Sequence, residues 1–105
     1  MIYGETDDVV FFVIIAKRRE KDAILDSLSA LDIHLTNIVY GRGSVRAGYL
    51  RDVLGLVPED SKVALLSVST RAKADAVLKM MIEKFEFNKA NTGIAYTVPV
   101  ESLAY

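Results

Sequence analysis

Val9-Val10-Phe11-Phe12-Val13-Ile14-Ile15 is the stretch on which the fold turns. Every position is β-branched or aromatic, so both alternating faces of the strand it forms are apolar. Such a strand belongs in the middle of a sheet with both faces covered. The apolar run reaches only to Ala16, too short to cross a membrane, and it comes after Asp7-Asp8, unlike a secretory leader.

Downstream, Ala23, Ile24, Leu25, Leu28 and Leu31 form a helical stripe, with Glu20, Lys21, Asp22 and Asp26 off it. Residues 33–36 alternate apolar and polar, and Ile38-Val39-Tyr40 continues that strand character at a sheet edge. Val63-Ala64-Leu65-Leu66-Ser67-Val68 is a second central strand, introduced by the turn-forming Pro58-Glu59-Asp60. Thr70 is placed to cap a second helix with the stripe Ala74, Val77, Leu78, Met81 and Phe85. Residues 88–93 make a polar turn, and residues 94–100 a last strand. The order β-α-β-β-α-β predicts an α+β fold, the ferredoxin-like sandwich, with one antiparallel four-stranded sheet and two helices on one face.

That architecture leaves one sheet face open, yet the first strand is apolar on both. Burying each such side chain is worth roughly 1.5–3 kcal/mol, and an exposed sheet of them would aggregate. A second copy of the chain is the simplest cover.

The 105 residues suffice for one domain, 1–105. Hydrophobic residues make up 51% and charged ones 26%, a globular composition. The net charge of −1 lacks the basic face that nucleic-acid binding needs. The absence of cysteine excludes disulfides, thiol catalysis and Cys-zinc sites. A soluble cytoplasmic protein without membrane insertion is expected.

Two turns carry candidate chemistry. Gly41-Arg42-Gly43-Ser44 ends the second strand. Its glycines permit positive φ, so that successive N–H groups can converge on an anion, with Ser44 and Arg42 adding donors suited to phosphate. The plainer alternative is a glycine corner with a solvated arginine. The segment from this corner to residue 57 is too long for a simple connection, since loops beyond roughly 12–15 residues are uncommon in compact domains. Residues 41–57 carry Arg46, Tyr49, Leu50, Arg51 and Leu54, which either dock a partner or fold back on the domain. The second turn, Asn88-Lys89-Ala90-Asn91-Thr92-Gly93, offers further backbone donors and Lys89 as a counter-charge. His34, the one histidine, reads as a surface residue on the edge strand. No Ser/His/Asp arrangement, paired carboxylates or metal cluster emerges, so neither catalytic nor metal-binding residues are expected, and no enzyme.

"YGRGSV" after the second strand, "LGL" before the third and "NTGIAYTVPVES" at the end together resemble the PII signal-transduction family, specifically its short PII-like members. The likeness spans residues 9–102. It implies nitrogen-regulatory signalling by a homotrimer whose sheets face inward, with residues 41–57 as the partner-contacting T-loop and 88–93 as the B-loop. It further implies that an adenine nucleotide, not covalently bound, is the effector in clefts between subunits. Carried over, Gly41, Arg42, Gly43 and Ser44 fall at the T-loop base, and Lys89, Asn91, Thr92 and Gly93 in the B-loop. A target protein such as a membrane transporter is the implied partner. The well-studied nitrogen regulators have a phosphate-binding lysine after the B-loop glycine, where this chain has Ile94, and arginines after the last strand with no counterpart before Tyr105. These departures point away from ATP with 2-oxoglutarate and toward another adenine nucleotide or weak binding. The alternatives on this fold are an RNA-binding module, which needs aromatic residues on the central strands, a small-ligand module, and an acylphosphatase-type enzyme using Arg18 or Arg19.

Overall fold

The computed structural model describes residues 9–34, 36–41, 61–90 and 92–101. Strand β1 is Val9–Lys17, and a single 3-10 turn, Arg18–Glu20, leads into helix α1, Lys21–Ala30. Strand β2 is Asn37–Gly41 and β3 is Lys62–Thr70. Helix α2, Arg71–Phe85, and strand β4, Gly93–Pro99, complete the order. The strands form one antiparallel sheet in the order β2-β3-β1-β4. The expected βαββαβ sandwich is therefore the observed one, with the two apolar strands β1 and β3 at its centre.

Residue parity decides the two faces. Val10, Phe12, Ile14 and Ala16 of β1 are buried, and Val63 and Leu65 of β3 join them beneath the helices. From above, Ile24 and Leu28 of α1 and Val77 and Met81 of α2 close this core. The other parity (Val9, Phe11 and Val13 on β1, Ala64, Leu66 and Val68 on β3) faces away from the helices. At its margins, Val39 is 56% exposed, Val68 50%, Val98 44% and Tyr96 42%. Among the described residues of that side, Val13, ringed by its strand neighbours, and Lys62 at the strand end are buried.

Both helices have legible ends. The Thr70 hydroxyl accepts the Lys73 backbone N–H at 3.3 Å, the expected N-cap of α2. Helix α1 ends in a Schellman arrangement: Asp32 is left-handed (φ 62°), and the Ile33 N–H donates to the Leu28 carbonyl at 2.9 Å. That turn seats Ile33 against Leu28 in the core. The helices are also joined laterally, because the Lys84 ammonium donates to Ser27 Oγ at 2.8 Å while Ser27 donates to the Ala23 carbonyl at 3.0 Å.

Three details differ from the expectations of the sequence. Ala23 is exposed, and the buried stripe of α1 is instead Ile24, Ser27 and Leu28, because Ala23 stands about 100° around the helix from Ile24, past the edge of that stripe. β2 begins only at Asn37, so His34 lies in the connector before the edge strand. Gly93 opens β4 instead of closing the turn, paired with Ala16.

Candidate functional site

The two candidate turns meet the sheet at the same end. β1 and β2 finish there, and β3 and β4 begin there. Gly41 is registered on Lys62, Lys62 on Lys17, and the adjacent Ala16 on Gly93. Gly41 and Gly93 thus occupy opposite edges of one end of the sheet. With strands about 4.8 Å apart, three spacings separate them by about 14 Å. Within one chain Gly41 and Gly93 themselves are therefore too far apart to touch one small group.

Between those edges the sheet end is cationic. An open cleft of about 180 Å³ is lined by Lys17, Arg18, Arg19 and Ser61. The Arg18 N–H donates to the Ser61 carbonyl at 3.0 Å, which ties the end of β1 to the entry of β3. The Arg18 guanidinium stacks 4.8 Å from the Tyr40 ring centroid, and the Lys21 ammonium donates to the Tyr40 hydroxyl at 2.9 Å. This hydrogen bond to Tyr40 is the main reason the Lys21 ammonium is held above its ordinary pKa. Tyr40 thereby fixes two cations beside Gly41.

At the second turn, Glu86 comes directly after α2 in the left-handed region (φ 60°, ψ 38°). Its carbonyl oxygen accepts the Lys89 N–H at 2.9 Å, and the single Thr92 hydroxyl proton is shared between it, at 3.0 Å, and the Lys89 carbonyl, at 2.8 Å. The Lys89 ammonium sits on the Glu86 carboxylate at 2.9 Å. Thr92 Oγ1 is therefore used to fasten the turn, and Lys89 already has an anionic partner. Gly93 has a packing role, because a Cβ there would overlap the Phe87 ring and lie 2.6 Å from the Ile15 carbonyl oxygen. Arg42, Gly43, Ser44 and Asn91, and the partner-loop residues Arg46, Tyr49, Leu50, Arg51 and Leu54, lie outside the described residues.

No Ser/His/Asp arrangement is visible in the sequence, yet the α1 end brings one together. The Ser29 hydroxyl is 3.5 Å from His34 Nδ1, and His34 Nε2 is 2.9 Å from Asp32 Oδ1. Asp32 Oδ2 also pairs with the Lys73 ammonium at 3.3 Å. The left-handed turn that positions Asp32 was invisible in the sequence, because non-glycine residues seldom adopt it and nothing nearby marks this one. The serine contact is at the outer limit of a hydrogen bond, and the carboxylate is shared and 77% exposed. The cluster is a clasp between the end of α1 and the start of α2. Its hydrogen bond from His34, and then Lys73, holds the Asp32 carboxyl below its usual pKa. Among the described residues, no group of three or more His, Cys, Asp or Glu is arranged to hold a metal, and no helix is long and apolar enough to cross a membrane.

No protein-family model and no curated protein matches the chain. Solved structures match across nearly its full length. A Thiomonas intermedia protein, CPII, bound to ADP, AMP and acetate, superposes with a TM-score of 0.73 at 12% identity, covering 100% of this chain and 94% of that one. A Thermus thermophilus protein described as a PII-like signalling protein gives 0.70 at 16% identity, covering 98% and 92%. CutA of Synechococcus elongatus, complexed with Bis-Tris, gives 0.68 at 10% identity, covering 98% and 90%. The chain has the fold that the PII-like signalling proteins share.

Proposed function

We propose that this protein is a non-enzymatic PII-like signalling protein. It binds an adenine nucleotide in clefts between the subunits of a homotrimer and controls a target through the loop at residues 41–57. The carrying observation is the placement of Gly41 and Gly93 at one end of the sheet on opposite edges. A site using both turns is completed only when the β2 edge of one copy lies beside the β4 edge of the next. That contact is heterologous, and a heterologous contact that closes makes a ring. The apolar sheet face supplies the driving force for it.

The cations Lys17, Arg18, Arg19 and Lys21 at this end suit a phosphorylated ligand. CPII, which shares the fold, is bound to ADP and AMP. In this reading Gly41, Arg42, Gly43 and Ser44 contact the phosphates from one subunit, and Lys89, Asn91, Thr92 and Gly93 from its neighbour. Ligand binding then biases the exit direction of residues 41–57, a population shift that requires different affinities for the two loop states. A membrane transporter is one target class for such a loop, and the cytoplasm the matching compartment.

The RNA-binding alternative gains little. On the open face β3 presents Ala64, Leu66 and Val68 and no aromatic ring, and among the described residues the rings on that face are Phe11 of β1 and Tyr96 of β4.

Calorimetric titration with AMP, ADP and ATP, alongside light scattering, tests the proposal. Binding of at least one nucleotide by a trimer is expected, lost in Gly43→Val with the trimer intact. Unchanged affinity in that variant would refute the site.

A further inference from the structure

Resting on the nucleotide reading above, we propose that Glu86 is a built-in competitor for Lys89 and sets how highly charged a nucleotide the site accepts. The turn after α2 is organised around this one residue. Its carbonyl gathers the Lys89 N–H and the Thr92 hydroxyl, while its carboxylate holds the Lys89 ammonium at 2.9 Å. The turn fixes the Glu86 backbone, and its carboxylate rests beside Lys89 when no ligand is near.

The left-handed backbone at Glu86 sharpens the point. Glycine or asparagine fits that conformation better. What glutamate contributes there is its charge. With the Thr92 hydroxyl committed to two carbonyls, the cation this turn offers a phosphate is Lys89, and it comes with an anion attached. The pair is well exposed, at 64% and 60%, so it is weak enough to be opened by a ligand. A phosphate reaching Lys89 must displace or tolerate the Glu86 carboxylate. The resulting repulsion rises with phosphate charge, from AMP through ADP to ATP. Glu86 thus tilts selectivity toward the less charged nucleotides, and Ile94, directly after the glycine, adds no compensating cation.

The test is calorimetry with AMP, ADP and ATP on the wild type, Glu86→Gln, Lys89→Ala and the double variant at low ionic strength. Glu86→Gln should tighten ATP about fivefold and AMP less than about twofold, the range an exposed pair can supply. The gain should disappear in the Lys89→Ala background and be screened out by high salt. Glu86→Asn, which suits the left-handed turn, should reproduce the pattern with the turn intact, which guards against misfolding of the glutamine variant. Equal shifts for all three nucleotides, or a gain that survives loss of Lys89, overturn the assignment while leaving nucleotide binding itself standing. If neither wild type nor variants bind any of the three, the nucleotide reading falls, and the role of Glu86 with it.

Discussion

Gly93 has no room for a methyl group, since the Phe87 ring and the Ile15 carbonyl already occupy that space. Gly93→Ala must push Phe87 off the core or part β4 from β1, and overpacking of this kind costs about 1–3 kcal/mol. Urea denaturation should therefore show a lower midpoint with an unchanged slope. At Asp32 the backbone is also left-handed, but there the side chain is what matters. Its carboxyl is held below its usual pKa by His34 and Lys73, so the folded state prefers it ionised. This contribution to stability is therefore present above the unfolded carboxylate pKa and is lost as pH falls through the lower folded value. Asp32→Asn keeps a residue tolerant of the left-handed turn and removes only the charge. The variant should be slightly less stable than wild type near neutrality. In acid-dependent unfolding curves the two should converge below the folded pKa of Asp32. A difference that persists unchanged into strong acid would mean that the clasp works by packing. Neither of these residue-scale features was legible in the sequence. The spacing of Ser29, Asp32 and His34 acquires meaning only once a rare aspartate conformation folds the chain back, and Gly93 read as a turn residue because its crowding comes from Phe87 and from β1.

At the scale of elements the sequence was more transparent, because periodicity is a direct image of burial. The unbroken apolar runs of β1 and β3 and the stripe of α2 located the sheet centre and the helix face correctly. The phase of α1 was missed at Ala23, which is next to Ile24 in sequence but about 100° around the helix from it, past the edge of the buried stripe. The N-cap of α2 was legible because threonine before a polar first turn has a specific mechanism. Thr70→Ala should remove the acceptor for the Lys73 N–H and cost about 1 kcal/mol, measured as a shift in the thermal or urea midpoint. The loop expected at residues 41–57 is a different kind of element, defined by length and composition. If it serves a partner, replacing residues 45–54 by a short Gly-Ser bridge should leave fold and assembly intact, because loop length itself costs little. Target binding should be abolished. Native-state hydrogen exchange checks the same point, and protection of this loop equal to that of β1 would make it part of the packing.

For the whole molecule the decisive quantity is the sheet face that the helices leave uncovered. The reading of β1 as apolar on both sides required a cover, and the register now says which residues need it: Phe11 lies on the open face and Phe12 in the helix-side core. The two neighbouring phenylalanines should therefore fail in different ways. Phe12→Asp places an unpaired carboxylate among Ile24, Leu28 and Met81, where burial of a charge is prohibitive, and the chain should not fold. Phe11→Asp places the same charge on the face that the helices do not cover, where Phe11 is only partly buried, so each subunit can still fold around its own core. If identical subunits bury this face, the variant should run as a folded monomer in light scattering while the wild type runs as a trimer at micromolar concentration. Far-ultraviolet circular dichroism should be retained. A wild type that is monomeric at that concentration would leave the open face without its cover and the inter-subunit site without its second half. A Phe11→Asp protein that remains trimeric would locate the contact elsewhere, most directly at the β2 and β4 edges. The two substitutions differ by one position along the strand, and the pleat alone turns one into a test of folding and the other into a test of assembly.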